Sequence, residues 1–458
     1  MRKHILVLLL FFGVSGSLLA QRVSYPQLVY RSQAPQIFVD ELILPGEEGK
    51  TTLAFLFRFN NDFIPFKKIT LNSDLDAPAE AEFYSTIRLN AEVFEGELKR
   101  RREPSANSIS RDFWSDTLFV NSFEETKSKD QFAAGYLETR LNPGTYNFIL
   151  QLSMMQEVNE RNTQRREITV PDLNSDHSGE VYLLKSVSDK NGQKQLELMN
   201  MEDNVPYGED FYVAVRIPDY ESSADYTLQL NRANISRNDT TARNQVLELD
   251  IEDSEVFSNA TLKLQNVHHP MLMLEQGEFD HTYLIKMIPA SSLENAAYLL
   301  SLKKSGQEKP VARSFFQSYW ADMPASLYNL DIAIRHLKFI LPEKEVDRIN
   351  KGNDREREQK FREFWEQRDP TPNTVFNELM AEYYRRIDYA FNEFGSQENP
   401  MGHESDQGEV YIKFGPPKNK ERRFPERGKT LEIWEYPDRT FIFEASSGFG
   451  DFKLVGTK

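Results

Sequence analysis

The chain contains no cysteine, which excludes structural disulfides, thiolate catalysis and the lipid-modified cysteine of a bacterial lipoprotein. Histidine is scarce, with seven in 458 residues. The one grouping, His268-His269 with His281, lacks a carboxylate at ligand spacing and reads as ordinary surface and strand histidine. No metal and no cofactor are expected. Positive charge is in deficit, with 55 basic against 71 acidic residues and a net charge of −16, which argues against nucleic acid and anionic membranes as general partners. No segment beyond the N-terminus approaches the roughly 20 apolar residues that span a bilayer. A Gly-rich phosphate loop is missing, and Ser446-Ser447-Gly448 lacks the flanks of a nucleophile elbow.

What is present begins with a secretory signal over residues 1 to 20. Arg2 and Lys3 form a basic start, Ile5 to Phe12 is apolar, and the small Ala20 precedes Gln21. The chain is therefore expected to be exported, with periplasm or cell surface preferred to secretion and no transmembrane segment after cleavage. An exported chain of this length without cysteine fits a bacterial envelope protein whose domains fold on core burial alone.

Two β regions follow, over residues 21 to 172 and 180 to 310, and both read as immunoglobulin-like sandwiches. In the first, runs such as Gln36 to Leu44, Thr52 to Asn60, Glu82 to Glu95 and Thr145 to Met154 are rich in Phe, Ile, Leu and Tyr and are separated by turn residues. Leu141-Asn142-Pro143-Gly144 is the clearest turn, since Pro presets φ and Gly tolerates positive φ. The polar stretch Pro171 to Gly179 reads as a linker, because its glycine is misplaced for a calcium loop. The second region has eight probable strands between Glu180 and Lys303.

From Pro310 the apolar period shifts from two to 3.6, and an α+β domain is expected over residues 315 to 458, with helices packed on an antiparallel β meander. Leu327, Leu330, Ile334, Leu337 and Leu341 predict one amphipathic helix. A second passes through Phe361, Phe364 and Trp365 and stops near Asp369, before Pro370 and Pro372. A third is expected from about Thr374 to Phe394, burying Phe376 and Leu379 among others. Val410, Ile412 and Phe414 alternate, so Glu409 to Phe414 is predicted as the first strand of the meander. The loop after it holds Lys418, Lys420, Arg422, Arg423, Arg427 and Lys429 against Glu421 and Glu426. It is either an anion or partner contact or a solvated hairpin loop.

Six blocks in order carry a family resemblance: Phe364-Trp365, Arg368-Asp369-Pro370-Thr371-Pro372, Asn377-Glu378 with Tyr384-Arg385-Arg386, Gly402 to Ile412, Gly415-Pro416-Pro417, and Glu432-x-Trp434-x-Tyr436. Together they resemble the GWxTD domain, found in exported bacterial proteins, often after β-sandwich regions. His403 stands where the naming motif has tryptophan, Ser405 where it has threonine, and Gln407 and Glu409 where basic residues are usual. The resemblance implies a domain identity and lends no catalytic residue.

The candidate binding residues are Arg368, Asp369, His403, Glu404 and Asp406, together with Lys420, Arg422 and Arg423. Two roles are open for the motif. In one, Gly402 and Gly408 supply unusual backbone angles, Ser405 and Asp406 make turns, and Arg368 with Asp369 ties a helix end to them. In the other, His403, Glu404, Asp406, Arg368 and Asp369 form an acid-base set in one cleft. The expected function is a non-enzymatic envelope protein that binds another envelope protein or a glycan. The alternative is a hydrolase working from the C-terminal cleft, and a pocket or a filled surface at His403 separates the two.

Overall fold

Thr51–Asn60 is a strand buried on both faces, as its nearly unbroken apolar sequence requires. The computed structural model containing it describes residues 24–31, 35–47, 49–70, 75–98, 107–155, 161–173, 179–190, 192–235, 240–266, 269–396, 400–426, 428–446 and 451–458. The expected signal, the centre of the Pro171 to Gly179 linker, His268, Arg427 and Ser447-Gly448 lie outside the described residues. Strand accounts for 47% and helix for 21%, so the chain is mainly β.

One face of Thr51–Asn60 presents Leu53, Phe55, Phe57 and Phe59 to Ile87, Leu89, Phe148 and Leu150. The Phe55 and Phe148 rings lie 4.6 Å apart. The opposite face turns Ala54 and Leu56 into a second core containing Leu184, Leu196, Leu262 and Leu272. Each such fully buried large side chain contributes roughly 1.5–3 kcal/mol, so one strand welds two cores together. Residues 34–322, with 371–377, accordingly form one compact unit.

Within that unit, Ile37–Pro45, Thr51–Asn60 and Phe132–Leu141 make a three-stranded sheet. It packs on a six-stranded sheet centred on Phe83–Glu95, flanked by Ser108–Val120 and Gly144–Met154. The first β region thus has the predicted strands in two layers. The second departs from a plain sandwich: Val181–Lys190, Gln193–Leu198, Pro270–Gln276, Val256–Asn266, His281–Ile288 and Phe211–Arg216 close into a barrel. A five-stranded sheet accompanies it through a shared core of Val213, Val215, Leu228, Leu300 and Phe316. Closure leaves the barrel without unpaired edges. Ala312–Tyr319 belongs to the five-stranded sheet, paired with Ala297–Lys304, so strand periodicity persists beyond Pro310.

The other unit comprises residues 1–33, 323–370 and 378–458. Its described helices are α1 (Tyr25–Arg31), α2 (Leu330–His336), α3 (Glu343–Asn350), α4 (Asp354–Glu366), α5 (Glu378–Glu393) and α6 (Asp406–Phe414). Asn329 caps α2, its side chain accepting from Ile332 N, and a 3-10 turn at Leu337–Phe339 follows. The single helix predicted through Leu341 is therefore shorter. Asn353 and Glu356 form a capping box at the start of α4. α5 begins at Glu378 rather than Thr374, because Val375 and Phe376 are engaged in the β unit, where the Tyr207 hydroxyl donates to the Val375 carbonyl at 2.6 Å. Leu379, expected in the core, is 47% exposed.

The segment 409–414 is a correction: it is helical, within α6, not a strand. Three alternating apolar residues fit either period, and the ends decide. Ser405 caps the N-terminus by accepting from Gly408 N, Asp406 and Glu409 lie in the first turn, Lys413 lies in the last, and Gly415 closes the helix at φ +77. The antiparallel sheet starts later, with Asn419–Arg423, Leu431–Glu435, Thr440–Ala445 and Phe452–Thr457 in that order.

Candidate functional site

The motif around His403 is built by close packing. A Cβ on Gly408 would stand 2.1 Å from the Gly402 carbonyl oxygen, and one on Gly402 would stand 2.3 Å from the Ala390 carbonyl oxygen. Neither glycine has positive φ; both are small because backbone approaches backbone. That approach seats the 3-10 turn Gly402–Glu404 and α6 against α5. The Ser405 hydroxyl holds the junction, donating to Gly402 O at 2.7 Å and accepting from Gly408 N at 3.0 Å.

The turn sends its side chains in different directions. His403 points inward, 3% exposed, among Tyr25 at 4.9 Å, His336 at 5.1 Å, Phe391 at 5.7 Å and Phe339 at 6.2 Å between ring centroids. A ring thus occupies the tryptophan position of the motif. Glu404 faces outward and accepts from Lys338 Nζ at 2.8 Å, a bond that holds its carboxyl below the usual range. Asp406 Oδ2 accepts from Leu454 N at 2.7 Å, tying the start of α6 to the last strand.

Beside His403 lies a buried polar cluster that the sequence did not single out. Ser326 Oγ is 2.9 Å from His336 Nδ1, Tyr25 Oη donates to Asp388 Oδ1 at 2.5 Å, and Ala325 N donates to Asp388 Oδ2 at 2.8 Å. Burial presses both imidazoles toward the neutral form, His403 down to about 4 and His336 well below its usual value. Burial likewise raises the Asp388 carboxyl. His403 Nδ1 has no hydrogen-bond partner among the described residues. Chemically this is a packed core, with Tyr25 of α1 lying against the His403 ring and both side chains buried. Tyr25 and Asp388 are 363 positions apart, so no local spacing could have paired them.

The remaining candidates are held elsewhere. Arg368 Nη1 donates to Phe364 O at 2.8 Å, and its guanidinium lies 3.9 Å from the Phe364 ring. Both contacts stay on α4 and its end, and Asp369 sits in the turn that follows. Lys420 and Arg422 lie on the Asn419–Arg423 strand. Both reach Glu432, at 3.1 Å and 2.7 Å. That carboxylate is 1% exposed and also accepts from Gln407 Nε2 and Trp434 Nε1, each at 2.8 Å. Burial opposes its ionisation, and hydrogen bonds from Arg422, Trp434 and Lys420 overcome that and hold the carboxyl low. Arg423 pairs with Glu421 at 2.7 Å. No group of three metal-ligating side chains occurs among the described residues, and no described helix is long and apolar enough to cross a membrane.

Helices packed on a four-stranded antiparallel sheet, with a glycine-seated turn entering α6, define an α+β domain. The GWxTD domain profile matches residues 296–451, the C-terminal third of the chain. The match takes in Ala297–Lys304 and Ala312–Tyr319, strands of the β unit. Comparison with curated proteins finds no match.

Proposed function

We propose that the protein is an exported bacterial envelope protein, periplasmic or at the cell surface, that works by binding another envelope protein or a glycan and not by catalysis. The observation that carries this is the burial of His403: the one imidazole of the motif is walled in by four rings, while Glu404 and Asp406 are committed to Lys338 and Leu454. A general base must reach its proton within hydrogen-bonding distance.

We read the two β regions as immunoglobulin-like binding modules. Support comes from a tyrosine hydroxyl returning to the carbonyl four residues upstream in each: Tyr146 to Asn142 at 2.8 Å and Tyr298 to Glu294 at 3.1 Å. This is the tyrosine-corner contact of such sandwiches.

The test pairs two measurements on the mature protein. Chromogenic ester, peptide and glycoside substrates are expected to show no turnover. Capture from the native envelope is expected to retain specific partners, comparing wild type with a folded Arg368→Ala/Asp406→Ala variant. Turnover abolished by His403→Phe would overturn the binding reading in favour of the hydrolase. N-terminal sequencing of the envelope fraction should begin near Gln21, and recovery of the uncleaved chain in the cytoplasm would refute export.

A further inference from the structure

We infer that the outer face of the six-stranded sheet is a carbohydrate site, with Arg88 receiving an acidic sugar group. This rests on the binding reading above and names its ligand. A concavity of about 560 Å³ lies on the face formed by Phe83–Glu95, Ser108–Val120 and Gly144–Met154, lined by Thr86, Arg88, Ser115, Thr117 and Ser153. Register makes these neighbours: Arg88 stands opposite Ser115 on one side and Ser153 on the other, and Thr86 stands opposite Thr117. Cross-strand partners are about 5 Å apart, so four hydroxyl residues stand around the base of Arg88, whose guanidinium extends toward Asn90 and Phe113. Asp116 and Ile87 also border the hollow. They are partners one position out of phase, so strand alternation turns their side chains to the other face.

The composition of this face is selective. Small hydroxyl side chains leave the sheet surface open, where Lys or Glu would fill it. Arg88 Nε donates to Asn90 Oδ1 at 3.1 Å, and no ion pair engages Arg88 among the described residues. Its guanidinium lies 4.9 Å from the ring of Phe113, which is 60% exposed. The nearest carboxylate along the strand, Glu92, is held by Arg111 at 2.6 Å. Hydroxyl groups, an exposed ring and an uncompensated guanidinium in a chain of net charge −16 suit a sugar that stacks one apolar face, hydrogen-bonds its hydroxyls and places a carboxylate on Arg88.

The test is an array of uronic-acid-bearing and neutral oligosaccharides presented to the mature protein, followed by titration of those retained. Uronic-acid oligosaccharides should be retained. Arg88→Ala and Phe113→Ala, each on an exposed position and checked for unchanged circular dichroism, should weaken binding by about tenfold or more. Unchanged retention of uronic-acid oligosaccharides by Arg88→Ala would overturn the role of Arg88. No retention at all, or retention unchanged in both variants, would overturn the site. An array without binding beside an envelope capture that yields a protein partner would sink the sugar site alone and leave the binding reading standing.

Discussion

His403 shows how burial replaces chemistry. Its depression from 6.5 to about 4 means that an unfolded chain takes up a proton between those values while the folded one does not. Stability from this group is therefore complete above pH 6.5 and is lost as pH falls toward 4, by on the order of 3 kcal/mol. Asp388 acts in the opposite sense, because its raised carboxyl favours the folded state on acidification. Denaturation followed through the helical circular-dichroism signal should therefore fall more gently with pH in His403→Phe than in wild type. Equal slopes would show that His403 is not buried as described. Gly408 offers a steric test. Its Cβ would meet the Gly402 carbonyl oxygen at 2.1 Å and His403 Cα at 2.9 Å, and backbone cannot rotate aside. Gly408→Ala should cost about 3 kcal/mol or more, and a melting temperature within a degree or two of wild type would contradict that packing.

At the scale of elements, α6 is the instructive case. Its apolar residues suit a strand as well as a helix, and the helix wins through its ends: the Ser405 cap, the Glu409 to Lys413 pair at 2.5 Å and the Gly415 stop. Ser405→Ala removes an acceptor from Gly408 N and should destabilise the helical unit by about 1 kcal/mol. Threonine at 405 should preserve the cap, so Ser405→Thr melting near wild type while Ser405→Ala melts lower is the expected pattern. Identical behaviour of the two would point to packing instead of capping. The basic residues after α6 make the same point differently. Lys420 and Arg422 looked like free cations in sequence, yet strand pairing sets them beside a carboxylate 10 to 12 positions later, Glu432, where Gln407 and Trp434 also converge.

For the whole molecule, the N-terminal helix α1 completes the core of a domain that otherwise begins some 300 residues later. Tyr25 is 6% exposed and touches His336, His403 and Phe391. Tyr25→Ala should cost about 3–5 kcal/mol and raise amide hydrogen exchange in α2, α5 and the 402–404 turn while leaving the strand Thr51–Asn60 protected. Uniform loosening of both units, or none, would refute the docking. The β unit has its own long-range dependence: Thr51–Asn60 serves two cores, which is why residues 34–322 are compact as one body although the sequence divides naturally near the polar stretch after Pro171.

The sequence by itself determined the mainly β character, the strands of the first region, the helices through Phe364 and Ile387 and the GWxTD match of the C-terminal third, because periodicity, turn residues and ordered motif blocks are local properties of a chain. It also placed Phe361, Phe364 and Trp365 on one helix, and all three are buried. The tertiary structure alone decided the closure of the barrel, the two-faced burial of Thr51–Asn60, the joining of Tyr25 to Asp388 and the capture of Lys420 and Arg422 by Glu432. Each depends on contacts between residues separated along the chain or on the difference between an inward and an outward side chain. Period and composition carry no record of which distant partner fills a given face.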